Sequence, residues 1–267
     1  MKIKNIAYLA LFGSLVSVSL SVADAEISIS AGETIQFNEN FDNNYAGWSD
    51  VVITNGEGAA LTKKAKIEGG VWVPSVDSDG GSTRSIVDIN ELDLSAGPIS
   101  IYMKVKVEDV LDNPANARFG FELKDITGGR DSRFTFQIEP GNGVAKQFSY
   151  LQYRVPTGGS VTDNLGKTYA NGIMTDPNAF YTFKLTITPV ADGLASLQAY
   201  YYDSFTSSYL PFPGDTNGAS SESATTGKGL DAGIFSALLI NSRNGSVISS
   251  GSNAAHFDQV VITQASR

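Results

Sequence analysis

Alternation at period two runs through this chain almost from end to end. In RFTFQI (133–138), Phe134, Phe136 and Ile138 alternate with Arg133, Thr135 and Gln137. In RFGFEL (118–123), Phe119, Phe121 and Leu123 alternate with Arg118, Gly120 and Glu122. Successive side chains of a strand point to opposite faces, so each segment reads as a half-buried β-strand. Further strands read from ISIYMKVKV (99–107), FSYLQYRV (148–155), FYTFKLTI (180–187), ASLQAYYY (195–202), GIFSALLI (233–240) and FDQVVIT (257–263). Each is rich in β-branched and aromatic residues and bounded by Gly, Pro, Asn or Asp clusters. Helical periodicity is confined to a turn or two around Val107 to Asn113. Many strands without crossover helices predict an all-β, two-sheet antiparallel sandwich.

The chain has 267 residues and no cysteine. Disulfides and thiolate chemistry are therefore excluded, and the core alone must hold the fold. A single histidine, His256, excludes a multi-histidine metal site. Beside a closing strand, it reads as the partner of a buried carbonyl. At the N-terminus, Lys2 and Lys4 precede an uncharged run from Ile6 to Val22, and Ala23, Asp24 and Ala25 supply a small-x-small cleavage pattern. Residues 1–25 thus read as a secretory signal peptide, with the mature chain starting near Glu26. The expected location is extracellular or periplasmic, with no membrane insertion. Residues 26–267 carry no repeat and no linker, and read as one domain. Losing Lys2, Lys4 and Asp24 moves the formal charge from −9 to −10. An acidic surface disfavours nucleic acid, yet a local cluster of cations could still receive an acidic glycan. Nothing in the sequence sets the oligomeric state.

Two turn-rich stretches, Pro156 to Asn178 and Ser204 to Lys228, break the strand rhythm. Loops of that length are usually functional or disordered. Tyr209 and Phe212 in the second are candidate sugar platforms, whereas Trp48 and Trp72 read as packing residues. GNG (141–143) reads as a hairpin turn. GKG (227–229) lacks the upstream glycine and the Ser/Thr of a phosphate loop.

The two ends carry a resemblance. FNENFDNNYAGW (37–48) is a strand, a polar loop and a tryptophan, and HFDQVVIT (256–263) is the final strand. Together they resemble the bacterial concanavalin A-like (laminin G-like) jelly rolls, in which the first and last strands are neighbours. The resemblance implies a jelly roll over the whole mature chain, a fold that hosts lectins, binding modules, hydrolases, lyases and adhesion domains. It also implies a structural calcium between the first loop and the last strand, with Glu39, Asp42 and Asp258 as its carboxylates. The alternative is that these carboxylates serve local turns.

Opposite the apolar faces, the strands are enriched in Arg, Gln and Tyr. Arg118, Glu122, Arg133, Gln137, Tyr150, Gln152, Arg154, Lys184, Gln198, Tyr200 and Tyr202 are the candidate substrate-binding residues. Gln both donates and accepts, Arg clamps a carboxylate bidentately, and Tyr combines a ring with a hydroxyl. The expectation is that they line one concave groove for a polysaccharide. Binding without chemistry asks least of such a groove. A lyase acting on a uronic-acid glycan is the second reading. The resemblance implies that Arg118 or Arg133, with Gln137 or Gln152, would neutralise the carboxylate while Tyr150 or Tyr200 moved the proton. Of the motifs that mark jelly-roll lyases, the nearest is RFTFQI, which lacks a histidine after its glutamine. Glycoside hydrolysis needs two carboxylates about 5–10 Å apart, and the E-x-D-x-x-E strand of laminarinase-like jelly rolls is missing. A structural or protein-interaction role touching no sugar is the reading from a different class.

Overall fold

The computed structural model describes residues 26–42, 47–50, 62–63, 65–74, 82–107, 118–124, 133–140, 147–152, 170–171, 179–191, 194–211, 221–225, 233–243 and 255–267. The signal peptide expected at 1–25, Arg154, Phe212, the turn at 141–143 and the tripeptide at 227–229 lie outside the described residues.

In chain order the strands are β1 (Glu33–Glu39), β2 (Trp48–Asp50), β3 (Thr62–Lys63), β4 (Lys66–Glu68), β5 (Val71–Val73), β6 (Ser82–Asp93), β7 (Ile99–Val107), β8 (Arg118–Lys124), β9 (Arg133–Pro140), β10 (Gln147–Gln152), β11 (Ala170–Asn171), β12 (Tyr181–Ala191), β13 (Leu194–Asp203), β14 (Ser208–Pro211), β15 (Ser221–Thr225), β16 (Ile234–Arg243) and β17 (Ala255–Ala265). They form two sheets. The nine-stranded sheet runs β14-β13-β12-β7-β17-β5-β4, with β1 on β17 and β15 on β13. The eight-stranded sheet runs β11-β10-β9-β8-β16-β6-β2, with β3 on β6. Apart from the parallel β3–β6 pair, the pairings are antiparallel. The first and last strands, β1 and β17, are paired, as the resemblance at the two ends implies.

One apolar core lies between the sheets. Ile99, Ile101, Met103 and Val105 of β7 and Phe183, Leu185 and Ile187 of β12 face Phe119 and Phe121 of β8 and Leu238 and Ile240 of β16. Burying each such side chain contributes about 1.5–3 kcal/mol, in a chain that has no disulfide to share the task. Two contacts set how the sheets stack. Phe119 of β8 meets Phe183 of β12 with ring centroids 6.3 Å apart. The buried Trp72 indole of β5 donates to the Ser85 hydroxyl of β6 at 2.9 Å. Hence β12 lies over β8 and β5 over β6. Trp48 and Trp72 are both core residues.

Between β6 and β7 a single 3-10 turn, Leu94–Ala96, ends at Gly97. Gly97 has φ 153°, and a Cβ there would stand 2.0 Å from the Ala265 carbonyl oxygen. Only glycine lets the end of β17 approach this closely, where the Ala265 amide donates to the Pro98 carbonyl at 3.0 Å.

The eight segments read from period-two alternation are β7, β8, β9, β10, β12, β13, β16 and β17. Val107 closes β7, and the rest of the helical stretch expected at 107–113 lies outside the described residues. The stretch 204–228 holds two strands, β14 and β15, where only loop was expected. The longest strand, β6, escaped notice because two of its core-facing positions are Thr83 and Ser85, both buried. Ser85 is satisfied by the Trp72 indole, so a hydroxyl occupies a place where the pattern asks for an apolar residue.

Candidate functional site

Strand register sorts the polar residues. In β8 the odd residues Phe119, Phe121 and Leu123 belong to the core, so Arg118, Gly120, Glu122 and Lys124 fall in the opposite phase. Gln137 pairs with Gly120, Thr135 with Glu122 and Arg133 with Lys124. On the next strand Tyr150 pairs with Glu139 and Gln152 with Gln137, after a register shift at Phe148. Six of the expected residues, Arg118, Glu122, Arg133, Gln137, Tyr150 and Gln152, therefore share one phase of the eight-stranded sheet. The side chains of all but Glu122 lie outside the described residues.

β16 and β6 extend that face. Asn241 pairs with Gly120 and with Arg84. One continuous cross-strand row thus reads Gln152, Gln137, Gly120, Asn241, Arg84. Its middle member, Gly120, has no side chain and is buried. Beside it, Arg118 stands directly opposite Arg243. In this phase Arg84, Arg118, Lys124, Arg133 and Arg243 stand with Asp88, Glu91, Asp93, Glu122 and Glu139. Like charges placed directly opposite each other destabilise a sheet unless something neutralises them. Glu122 and Asn241 are buried, and Arg84 is half-buried. Sequence reasoning missed Arg84, Asn241 and Arg243. Arg84 lies on the unrecognised β6, and the other two extend β16 past the end of its apolar run.

The remaining expected residues do not join this face. Lys184 is on β12, and Gln198, Tyr200 and Tyr202 are on β13, both in the nine-stranded sheet. The expectation of a single groove lined by all these residues is corrected on this point. Period two reports the phase within a strand and is blind to which sheet the strand joins.

Lys184 is buried on the outer face of its sheet, where it holds the segment 26–32 in place. Its ammonium bonds Glu33 Oε1 and Ser30 Oγ, each at 2.8 Å. It also lies 4.9 Å from the Tyr102 ring centroid and 5.7 Å from those of Tyr200 and Tyr209. Glu33 further accepts from Tyr102 and Thr263, each at 2.5 Å, and from Ser100 at 3.1 Å. Burial pushes the Glu33 carboxyl up, but the bonds from Lys184, Thr263 and Tyr102 outweigh it and hold the group below its ordinary 4.5. Burial pushes Lys184 down, and the bonds to Glu33 and Tyr102 reverse that, raising it above 10.5. Tyr209 donates to the Ser28 carbonyl at 2.9 Å, and the Ile27 amide donates to Gln259 Oε1 at 3.0 Å. Ile27 packs with Tyr102 and Val261.

The carboxylates expected to hold calcium have other partners. Glu39 accepts from the Phe41 amide at 2.8 Å and from the Trp48 indole at 3.0 Å. Asp258 pairs with Lys104 at 2.7 Å. Asp42 accepts from the Asn40 amide group at 2.6 Å and packs over the β4–β5 turn, where a Cβ on Gly70 would meet Asp42 Oδ1 at 2.7 Å. Among the described residues no three acidic or histidine side chains converge to hold a metal. These carboxylates fit a turn brace and an ion pair better than a calcium shell of six to eight oxygens. His256 is half-buried, across from Lys106.

No protein-family model matches the chain, and no curated protein matches it. Solved structures share its fold. The CBM2 module of the evolved Dit of Lactobacillus casei BL23 phage J-1 superposes with a TM-score of 0.55 at 11% identity, covering 88% of this chain and 97% of that one. The beta-glucanase of Bacillus licheniformis does so with 0.51 at 14% identity, over 90% and 100%. A lectin from Bauhinia forficata in complex with GalNAc gives 0.51 at 9% identity, over 88% and 99%. At these identities the likeness is one of fold. The chain is a two-sheet antiparallel sandwich of the concanavalin A-like jelly-roll type.

Proposed function

We propose that this chain is an exported polysaccharide-binding protein that receives an acidic glycan on the non-core face of its eight-stranded sheet. The observation that carries this reading is the register pair Arg118 and Arg243 beside the row Gln152, Gln137, Gly120, Asn241, Arg84. Two arginines in register supply forked donors to one place, and a uronate carboxylate is shaped for such a fork. Glutamine and asparagine in the neighbouring row supply donors and acceptors for hydroxyls. Structures sharing the fold include a lectin, a CBM2 module and a beta-glucanase, which supports sugar as the ligand class.

A lyase reading keeps Arg118, Arg133, Gln137 and Tyr150 and drops Tyr200, which lies on the other sheet. Binding asks for less, because elimination needs a proton acceptor placed at one carbon as well as a neutralised carboxylate. The test is affinity electrophoresis of the mature protein in gels containing alginate, polyglucuronate or pectate, with absorbance at 235 nm followed in parallel. Retardation by one of them without absorbance change, weakened about tenfold in Arg118→Ala, is the expected result. A steady rise at 235 nm would convert the reading to a lyase. Free migration in all three gels would remove the acidic-glycan reading.

A further inference from the structure

The β13–β14 hairpin belongs to the nine-stranded sheet and presents a different chemistry. Tyr201 packs towards the core, so the outward pairs are Tyr200 with Pro211 and Tyr202 with Tyr209. Pro211 is exposed, and the three tyrosines are half-exposed. At the apex of the connecting turn Phe205 is 95% exposed. A turn is satisfied by small polar residues, and a phenylalanine there gains nothing from its own fold.

The apex is held rigidly. Asp203 accepts from the amides of Phe205 and Thr206, each at 3.2 Å, and from the Thr206 hydroxyl at 2.6 Å. The Thr206 and Ser208 hydroxyls bond at 2.8 Å. Ser207 takes the left-handed conformation, φ 52°, which a serine adopts only when its surroundings require it. Phe205 is therefore presented in a fixed place at the end of an aromatic ribbon.

The ribbon is electrically quiet. Lys184 lies buried beneath Tyr200 and is neutralised by Glu33. The Asp203 carboxylate is engaged in the turn. Nothing on the ribbon offers a cation to an acidic glycan, a nucleic acid or an anionic lipid. Rings, tyrosine hydroxyls and the exposed Ser204 and Ser207 match the apolar faces and hydroxyl edges of an uncharged sugar. We propose that this hairpin is a second binding surface, on the opposite sheet from the first, that takes a neutral glycan chain with Phe205 as its stacking platform. It stands whether or not the eight-stranded sheet binds an acidic glycan.

The test is retention of the mature protein on two insoluble neutral glucans, microcrystalline cellulose and curdlan, comparing wild type with Phe205→Ala and Phe205→Trp. Thermal melting should be the same for all three, because Phe205 packs on nothing. Retention of wild type on either glucan, reduced about tenfold in Phe205→Ala and kept in Phe205→Trp, is the expected result. Equal retention of Phe205→Ala, or no retention of wild type on both glucans, would overturn the proposal. So would wild-type binding to phosphatidylcholine vesicles that is lost in Phe205→Ala in the absence of glucan retention.

Discussion

The outward faces of the two sheets carry similar residues and use them in opposite ways. On the nine-stranded sheet, Lys184, Tyr102, Ser100 and Thr263 converge on one carboxylate, Glu33, and the chain's own segment 26–32 lies across them. On the eight-stranded sheet, Arg118 and Arg243 are register partners, beside a row in which Gly120 separates Gln137 from Asn241. The first face spends its charges on the fold. The second brings Arg118 and Arg243 into register across neighbouring strands. A polar residue in the outward phase is therefore no sign of a binding site until its partners are known.

The largest effect should come from breaking the first face. Removing one partner of a buried ion pair leaves a charge stranded, so Lys184→Met should cost about 3 kcal/mol in urea unfolding. A loss under about 0.5 kcal/mol would mean the two faces do not differ in this way. On the second face the expectation is reversed. Arg118→Ala should cost about tenfold in acidic-glycan affinity while moving the urea midpoint little, because its register opposite Arg243 is repulsive.

A smaller effect tests the strap itself. Tyr209→Phe removes only the bond to the Ser28 carbonyl and should cost about 1 kcal/mol in the same unfolding measurement. Acid titration sharpens the contrast further. Glu33 is held below its ordinary 4.5, so its contribution is present above that value and is lost as pH falls through the lowered native pKa. Lys184 is raised above 10.5, so its contribution is present below that value and is lost as pH rises through the raised native pKa. Urea midpoints for wild type should fall on the acid side. In a Glu33→Gln, Lys184→Met double variant that fall should be shallower.

Much of the fold was legible because antiparallel strands with one buried face must alternate. The eight strongest alternations all mark strands, and the paired ends carried the jelly-roll resemblance. What was missed has a physical cause in each case. β6 hides behind Thr83 and Ser85, since a hydrogen bond from Trp72 makes a hydroxyl acceptable in the core. β14 and β15 are short strands inside a turn-rich stretch. Arg118, Glu122, Arg133 and Gln137 could be grouped from two neighbouring strands whose patterns match. Asn241 and Arg243 could not, because β16 is more than a hundred residues further along the chain.

The sequence by itself determined the class of fold and, for the eight strands that alternate clearly, their phase and which of their residues face away from the core. Those properties depend only on the two-residue repeat of an extended backbone and on the cost of leaving apolar side chains in water. Which strands share a sheet was decided only in the tertiary structure. So was the meeting of Glu33 with Lys184, and of Arg118 with Arg243. Contacts between residues 151 apart, as in that ion pair, are set by how whole sheets pair and stack, and no local pattern encodes them.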